Sequence, residues 1–304
     1  MMTNSDKQII IITGPTAVGK TKLSIEVAKF FRTEIISADS RQFYKELKIG
    51  TAPPSDSELK EVKHHFIGHL SIYDYYNVSK YENDAIKKID SLFKDHDRLI
   101  MTGGSGLYID AVVKGIDDLP DADTDTREYL KAKFEAEGIT SLQVMLKNLD
   151  PEFCKQVDMN NPARLIRAVE VCMTTGLKYS DLRKSKNKKR NFNCLFIGLN
   201  REKNELIEII KKRTNIMIQQ GLVEEATELY PFRNLNALNT VGYTELFEYI
   251  EGKTTLEQAI ENININTRKY AKRQLTWFRK NKAMQWFHPN DKEKIMNYIL
   301  NNQR

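Results

Sequence analysis

Gly14-Pro15-Thr16-Ala17-Val18-Gly19-Lys20-Thr21 fits the pattern G-x-x-x-x-G-K-[ST] without a mismatch, and it constrains this chain more than any other stretch. Its flanks agree with it. Gln8-Ile9-Ile10-Ile11-Ile12 is a short β-branched run, the pattern of a buried parallel strand. Lys22 to Phe31 then follows with helical spacing. A strand, loop and helix in that order turn successive backbone N–H groups and the positive end of a helix dipole toward one concavity. Lys20 adds a mobile positive charge for phosphate oxygens, and Thr21 a hydroxyl for a Mg²⁺ ion. The loop alone does not choose between transfer, hydrolysis and expulsion of the phosphates it holds.

Other strands are predicted at Glu34–Ala38, Arg98–Met101 and Cys194–Leu199. If they lie parallel to the first, their carboxyl ends open on one edge, where ligands bind in open α/β sheets. The second strand delivers Asp39-Ser40-Arg41-Gln42 to that edge. A carboxylate beside bound phosphate needs a reason: Asp39 holds Mg²⁺, acts as a general base on an incoming nucleophile, or caps the next short helix. The third delivers Thr102-Gly103-Gly104-Ser105-Gly106, where a nucleotide hydrolase usually has an Asp for its metal. This turn either admits a ligand closely, with Ser105 as a hydrogen-bond donor, or is simply tight. Three of the five histidines, His64, His65 and His69, lack supporting carboxylate or Cys spacing and suggest loop or strand-edge packing rather than metal. From about Asp118 to Arg190 the pattern is helical without convincing strands. The expected fold is therefore α/β: a P-loop NTPase-like parallel sheet flanked by helices over 1–117 and 191–304, with an inserted all-helical subdomain over 118–190.

Charge is unevenly placed. The net charge of +6 over 304 residues is mild, but Arg183–Arg190 has six basic residues in eight, a run that is usually solvated and also attracts nucleic acid. Thr267–Lys282 carries seven basic residues, no acid, and Tyr270, Trp277 and Phe278. On a helix this makes a basic face beside an aromatic one. Such one-sign charge suits a phosphate-rich ligand better than bare packing does. Arg164 and Arg167, three apart after Pro162 at a helix start, are either solvated or a phosphate-contacting pair. The three scattered cysteines suggest neither zinc nor a disulfide framework, and no signal-peptide core or membrane-length apolar run is present. A cytoplasmic protein with no membrane association is expected.

Taken together, these motifs resemble the bacterial tRNA dimethylallyltransferases (tRNA isopentenyltransferases). The matching pieces are Gly14–Thr21, Asp39–Gln42, Ile49-Gly50-Thr51-Ala52-Pro53, Thr102–Ser105, Asn161-Pro162 with Arg164–Arg167, Val241-Gly242-Tyr243, and Lys272-Arg273-Gln274-x-Thr276-Trp277-x-Arg279. They occur in family order across nearly the whole chain. The resemblance implies transfer of a dimethylallyl group from dimethylallyl diphosphate to N6 of the adenosine at position 37, beside the anticodon, in tRNAs reading codons that begin with U. Diphosphate is released, and a monomer acts on the anticodon stem-loop.

Under that resemblance Gly14, Pro15, Thr16, Ala17, Val18, Gly19, Lys20 and Thr21 hold the diphosphate. Thr21 takes Mg²⁺, Arg213 is a further diphosphate contact, and Asp39 is the base. Ser105 and Arg127 fall where the family contacts tRNA near the target. Ser40, Arg41, Gln42, Ala163, Arg164, Leu165, Ile166, Arg167, Val241, Gly242, Tyr243, Lys272, Arg273, Gln274, Trp277 and Arg279 hold RNA. The sequence departs from the family where Thr is common in place of Ser105, Gln in place of Ala163, and Arg in place of Thr244. No Cys/His finger follows the last helix. Two enzyme readings compete. A prenyltransferase acting on free adenylate shares the core chemistry, and a small-molecule kinase would use the loop for ATP but leave the basic helix idle. A non-catalytic RNA-binding module is a third, set against Asp39 beside the loop.

Overall fold

The isoleucine run becomes β1 (Gln8–Thr13), all six residues buried. Its side chains split with the two-residue period of a strand. Ile9 and Ile11 join one apolar cluster with Leu99 and Met101, while Ile10 and Ile12 join a second with Ile100 and Ile197. Both faces of the sheet are thus covered, which is why the run is continuous rather than alternating. Each buried isoleucine contributes roughly 1.5–3 kcal/mol. The helices Lys20–Phe31 and Lys292–Asn301 supply Leu23, Val27, Ile295 and Ile299 to the second cluster. The helix Val78–Leu92 supplies Tyr81, Ala85 and Ile89 to the first.

This computed structural model describes residues 7–121, 123–184 and 187–302. With β1 come β2 (Ile35–Ser37), β3 (His64–His65), β4 (Arg98–Gly103), β5 (Asn193–Leu199) and β6 (Gln285–Phe287). The order across the sheet is β3-β2-β4-β1-β5-β6, and every pairing is parallel. The expected P-loop-like α/β architecture is present. Two strands are additions to the sequence reading. β3 consists of His64 and His65, with His65 Nε2 and Glu34 Oε2 2.5 Å apart, while His69 packs beyond it against Phe43, Phe66 and Tyr76. β6 is three residues long, too short to show a period. Its Trp286 fills the space above Gly198, where an added Cβ would lie 2.7 Å from the indole.

The chain divides into two compact units, Met1–Val113 with Lys189–Arg304, and Lys114–Lys188. The helical unit thus begins four residues before the expected 118 and ends two before the expected 190. Arg190 belongs to the larger unit because its guanidinium is anchored there. It donates to the buried Glu82 carboxylate at 2.6 Å and to the Ala111 and Val112 carbonyls at 2.8 Å. It is therefore no solvated member of a basic run. Lys188 Nζ meets Asp118 at 2.9 Å, while Ser185 and Lys186 of that run lie outside the described residues.

In the smaller unit, helices Thr124–Glu137, Ile139–Leu149 and Pro162–Thr175 pack on Leu130, Leu142, Leu146 and Leu165. Asn161 caps the last of these, its side chain accepting from the Arg164 N–H at 3.2 Å, with Pro162 in the first turn. Among the described residues no helix is long and apolar enough to cross a membrane.

Gly103 ends β4 where an added Cβ would lie 2.3 Å from the Ala38 carbonyl oxygen, so no side chain fits. Gly103→Ala should force β2 and β4 apart and lower unfolding free energy by about 1–3 kcal/mol. Urea denaturation checks this, and an unchanged midpoint would contradict it.

Candidate active site

The registers Thr13↔Gly103 and Ser37↔Thr102 bring the ends of β1, β4 and β2 level. The segments that follow these strands therefore leave one edge of the sheet together. Ala38 N–H donates to Thr102 O at 2.7 Å, and Ser105 N–H returns a bond to Ala38 O at 3.2 Å. Ser105 Oγ accepts from Ser40 N–H at 3.0 Å and lies 3.1 Å from Ser40 Oγ. Asp39 sits half-buried between these pieces, one carboxylate oxygen accepting from the Arg41 N–H at 3.2 Å.

The phosphate loop follows β1. Gly14 has φ +148°, and a Cβ there would lie 2.4 Å from the Leu199 carbonyl oxygen. Gly19 is left-handed, at φ 107°, immediately before the helix Lys20–Phe31. Both glycines are thus required by geometry as well as by pattern. Lys20 Nζ donates to the Pro15 carbonyl at 2.8 Å and the Gly14 carbonyl at 3.1 Å, folded back on its own loop. Burial pushes the Lys20 ammonium down to about 8. Asp39 opposes that fall and Arg213 adds to it. Arg213, on the helix Lys203–Gln219, brings Nη1 to 3.4 Å from Thr16 Oγ1, and burial lowers its pKa against the pull of Asp39. Val18 turns its side chain into the core, and its carbonyl accepts from Arg201 Nε at 3.0 Å. Thr21 is half-buried in the first turn of the helix. Among the described residues no group of three His, Cys, Asp or Glu side chains is placed to hold a metal.

A cavity of about 540 Å³ opens beside these groups. Thr16, Arg213, Asp39, Ser40, Tyr270 and Arg273 supply its polar wall, and Ile210, Met217, Val241 and Ile263 apolar surface. Gly50 and Thr51 form part of the rim. Their loop is held by Glu225, whose carboxylate accepts from the backbone N–H of Lys48, Ile49 and Gly50 at 2.9–3.1 Å and from the Tyr243 hydroxyl at 2.7 Å. Gly50 is needed there because an added Cβ would lie 2.5 Å from the Tyr243 ring. Tyr270 was legible only as an aromatic on the basic helix. In the structure it lines the cavity, where burial pushes its hydroxyl up to about 12 and Asp39 adds to the rise. Its spacing, three before Arg273 on one helix, is the signal that places it on the same face.

Several residues expected at RNA are committed elsewhere. Tyr243 is fully buried, with its hydroxyl on Glu225, and Leu165 is fully buried in the helical unit's core. Gln274 is 5% exposed, and its amide is bonded to two backbone groups. These three side chains turn inward because their apolar or amide groups complete the packing. Arg41 donates to the carbonyls of Asn236 at 2.7 Å and Asn239 at 3.0 Å, and Gln42 to those of Thr51 and Ala52. Both brace the rim.

In the helical unit, Arg127 and Arg167 share the Glu170 carboxylate at 2.6 and 2.8 Å. Glu170 is fully buried, a counter-ion the spacing of the arginines did not reveal. Ala163 and Arg164 are exposed, and Ile166 is half-buried. On the helix Leu256–Phe278 and just beyond it, Lys272, Arg273, Trp277 and Arg279 are exposed, while Arg268 pairs with Glu261 at 3.5 Å. Val241 and Gly242 line the cavity, the Gly242 N–H held by Glu245 at 2.7 Å.

Comparison with known proteins identifies the family of this chain. A model of the IPP transferase family matches residues 42–281. The chain is 49% identical over 291 residues to tRNA dimethylallyltransferase 1 of Phocaeicola vulgatus, covering 96% of this chain and 97% of that one. It is 53% identical over 292 residues to the tRNA dimethylallyltransferase of Christiangramia forsetii, with coverage of 96% and 97%. Among solved structures it resembles the tRNA isopentenylpyrophosphate transferase of Bacillus halodurans, at 35% identity and TM-score 0.69 over 97% of this chain and 96% of that one. It also resembles a eukaryotic dimethylallyltransferase described as acting on tRNA, at 26% identity and TM-score 0.73 over 89% and 69%. The chain belongs to the IPP transferase family.

Proposed function

We propose that this protein transfers the dimethylallyl group of dimethylallyl diphosphate to N6 of adenosine 37 in tRNAs reading codons that begin with U. The observation that carries this reading is that one cavity is lined both by the phosphate-loop side, Thr16 and Arg213, and by the carboxylate of Asp39. In the step, N6 attacks C1 of the dimethylallyl group as the C1–O bond breaks. The electron pair leaves with diphosphate, and Asp39 accepts the N6 proton. Loop N–H groups, Lys20 and Arg213 oppose the charge that develops on the leaving group. Lys20, folded on the Gly14 and Pro15 carbonyls, has acceptors to exchange for phosphate oxygens. Ser105, through Ser40, keeps the Asp39 turn in place.

The residues fit a substrate-borne Mg²⁺ better than a protein cage. Thr21 offers a hydroxyl, and such an ion takes most of its remaining ligands from phosphate and water. When bound it would neutralise charge on the diphosphate. The exposed Lys272, Arg273, Arg279 and Trp277, and Arg164 on the helical unit, supply phosphate and stacking contacts to the anticodon stem-loop. Extraction of the adenine from its stack lets it reach the cavity.

Incubation with dimethylallyl diphosphate, Mg²⁺ and unmodified tRNA, followed by mass analysis of digested nucleosides, tests the reading. A dimethylallyl increment on adenosine, lost when the adenosine at 37 is replaced, is expected. An increment on AMP but not on tRNA would move the assignment to a free-nucleotide prenyltransferase, and ATP consumption without prenyl transfer to a kinase. Asp39→Asn should lower the single-turnover rate by about 10²–10⁴-fold while tRNA affinity stays near wild type. An undiminished rate removes Asp39 as the base.

A Lys20 pKa of about 8 has a consequence for pH. Bound anionic charge raises that pKa, so inorganic diphosphate binding at about pH 8.5 should take up protons beyond any uptake by Lys20→Met. This excess should vanish well below pH 8, where Lys20 is already charged. Calorimetry in buffers of different ionisation enthalpy measures it, and identical uptake by the two proteins would contradict the placement of Lys20.

A further inference from the structure

The Gln274 amide joins two segments of the site. Its Oε1 accepts from the Thr16 backbone N–H at 2.8 Å, and its Nε2 donates to the Gly104 carbonyl at 2.9 Å. One end thus holds the phosphate loop, and the other the turn after β4. That turn backs Asp39: a Cβ added to Gly104 would lie 2.2 Å from Gln274 Nε2 and 3.6 Å from Asp39 Oδ2. The pairing demands an acceptor at one end of the side chain and a donor at the other. A carboxamide carries both in one planar group that stays uncharged at every working pH. The reverse orientation would set N–H against N–H and oxygen against oxygen, so the partners fix the assignment.

The helix Leu256–Phe278 that carries Gln274 is fastened one turn later. Trp277 Nε1 donates to Asp110 at 3.0 Å, and the indole lies so close over Gly106 that a Cβ there would be 2.3 Å from Trp277 Cδ1. Tyr270, one turn earlier, and Arg273, the preceding residue, line the cavity. Gln274 thus lies on the buried side of a helix whose exposed face is basic.

We propose that Gln274 is a positioning residue for the transfer step, its amide setting the spacing between the loop that holds the leaving diphosphate and the turn that backs the proton-accepting carboxylate. The inference rests on the function proposed above. Attack in line with the breaking C1–O bond is sensitive to that spacing, since a displacement of about 1 Å costs on the order of a hundredfold in rate. An RNA contact at the same position would act on tRNA affinity instead.

The test uses the full-length protein with Gln274→Glu and Gln274→Leu. Glu matches the size and, assayed at a pH high enough to ionise it, still accepts from Thr16 N–H but sets an oxygen against the Gly104 carbonyl. Leu removes both bonds. Single-turnover transfer should fall about tenfold to a hundredfold in both variants, with tRNA affinity within about twofold of wild type. Hydrogen exchange at the Thr16 amide should accelerate in Gln274→Leu and stay near wild type in Gln274→Glu, while β1 and β5 remain protected in both. Weakened tRNA binding with the transfer rate intact would overturn the proposal in favour of an RNA contact. Unchanged Thr16 exchange in Gln274→Leu would overturn the clamp itself. If wild-type protein transfers nothing to tRNA, the function assigned above fails, and the exchange measurement still decides whether Gln274 holds the loop.

Discussion

The parallel register of β1, β4 and β2 is the constraint from which the site follows. With Thr13 level with Gly103 and Ser37 level with Thr102, the phosphate loop, the Asp39 turn and the Gly104 turn emerge at one edge. Parallel strands need crossovers, and the right-handed crossovers of such sheets put helices on both faces. Those helices make the apolar clusters that bury both sides of β1. The sheet must also pack without a side chain at Gly103, because the Ala38 carbonyl already fills that space. Backbone contact at this level of closeness leaves the edge little freedom, which is what a transfer between two separately bound substrates requires.

Electrostatics builds on that edge. Burial lowers the pKa values of Lys20 and Arg213, the Arg213 charge lowers that of Lys20 further, and the Asp39 carboxylate opposes both falls. Lys20 donates to the carbonyls of Gly14 and Pro15. A negatively charged ligand at the proposed site would relieve the effect of Arg213 on Lys20. The two cations also offset the charge of the carboxylate that stands beside the loop.

Local pattern was sufficient for the phosphate loop, four of the six strands, the helical segment and the motifs that carry the family resemblance. The basic helix was legible as a face, although it begins at Leu256, well before the basic run. What stayed hidden depends on partners distant in the chain. Gln274 meets Thr16 across 258 residues, and Arg41 meets Asn236 across 195. Glu170 and Glu225 show nothing in their neighbourhoods to announce that one gathers two arginines and the other three backbone amides and a tyrosine. β6 spans only three residues and is held by Trp286 against Gly198, a contact no periodicity encodes. Motif residues divide accordingly. Lys272, Arg273 and Arg279 face solvent, whereas Gln274 in the same motif faces inward.

Donor and acceptor are proposed to meet in one cavity that Thr16, Arg213 and Asp39 all line. A crystal structure with a non-reactive thiolo analogue of dimethylallyl diphosphate and an anticodon stem-loop tests this most directly. The account predicts the diphosphate on Gly14–Thr21 and the extruded adenine with N6 about 3 Å from an Asp39 carboxylate oxygen. An adenine seated away from Asp39, or a diphosphate held elsewhere than on the loop, would contradict it.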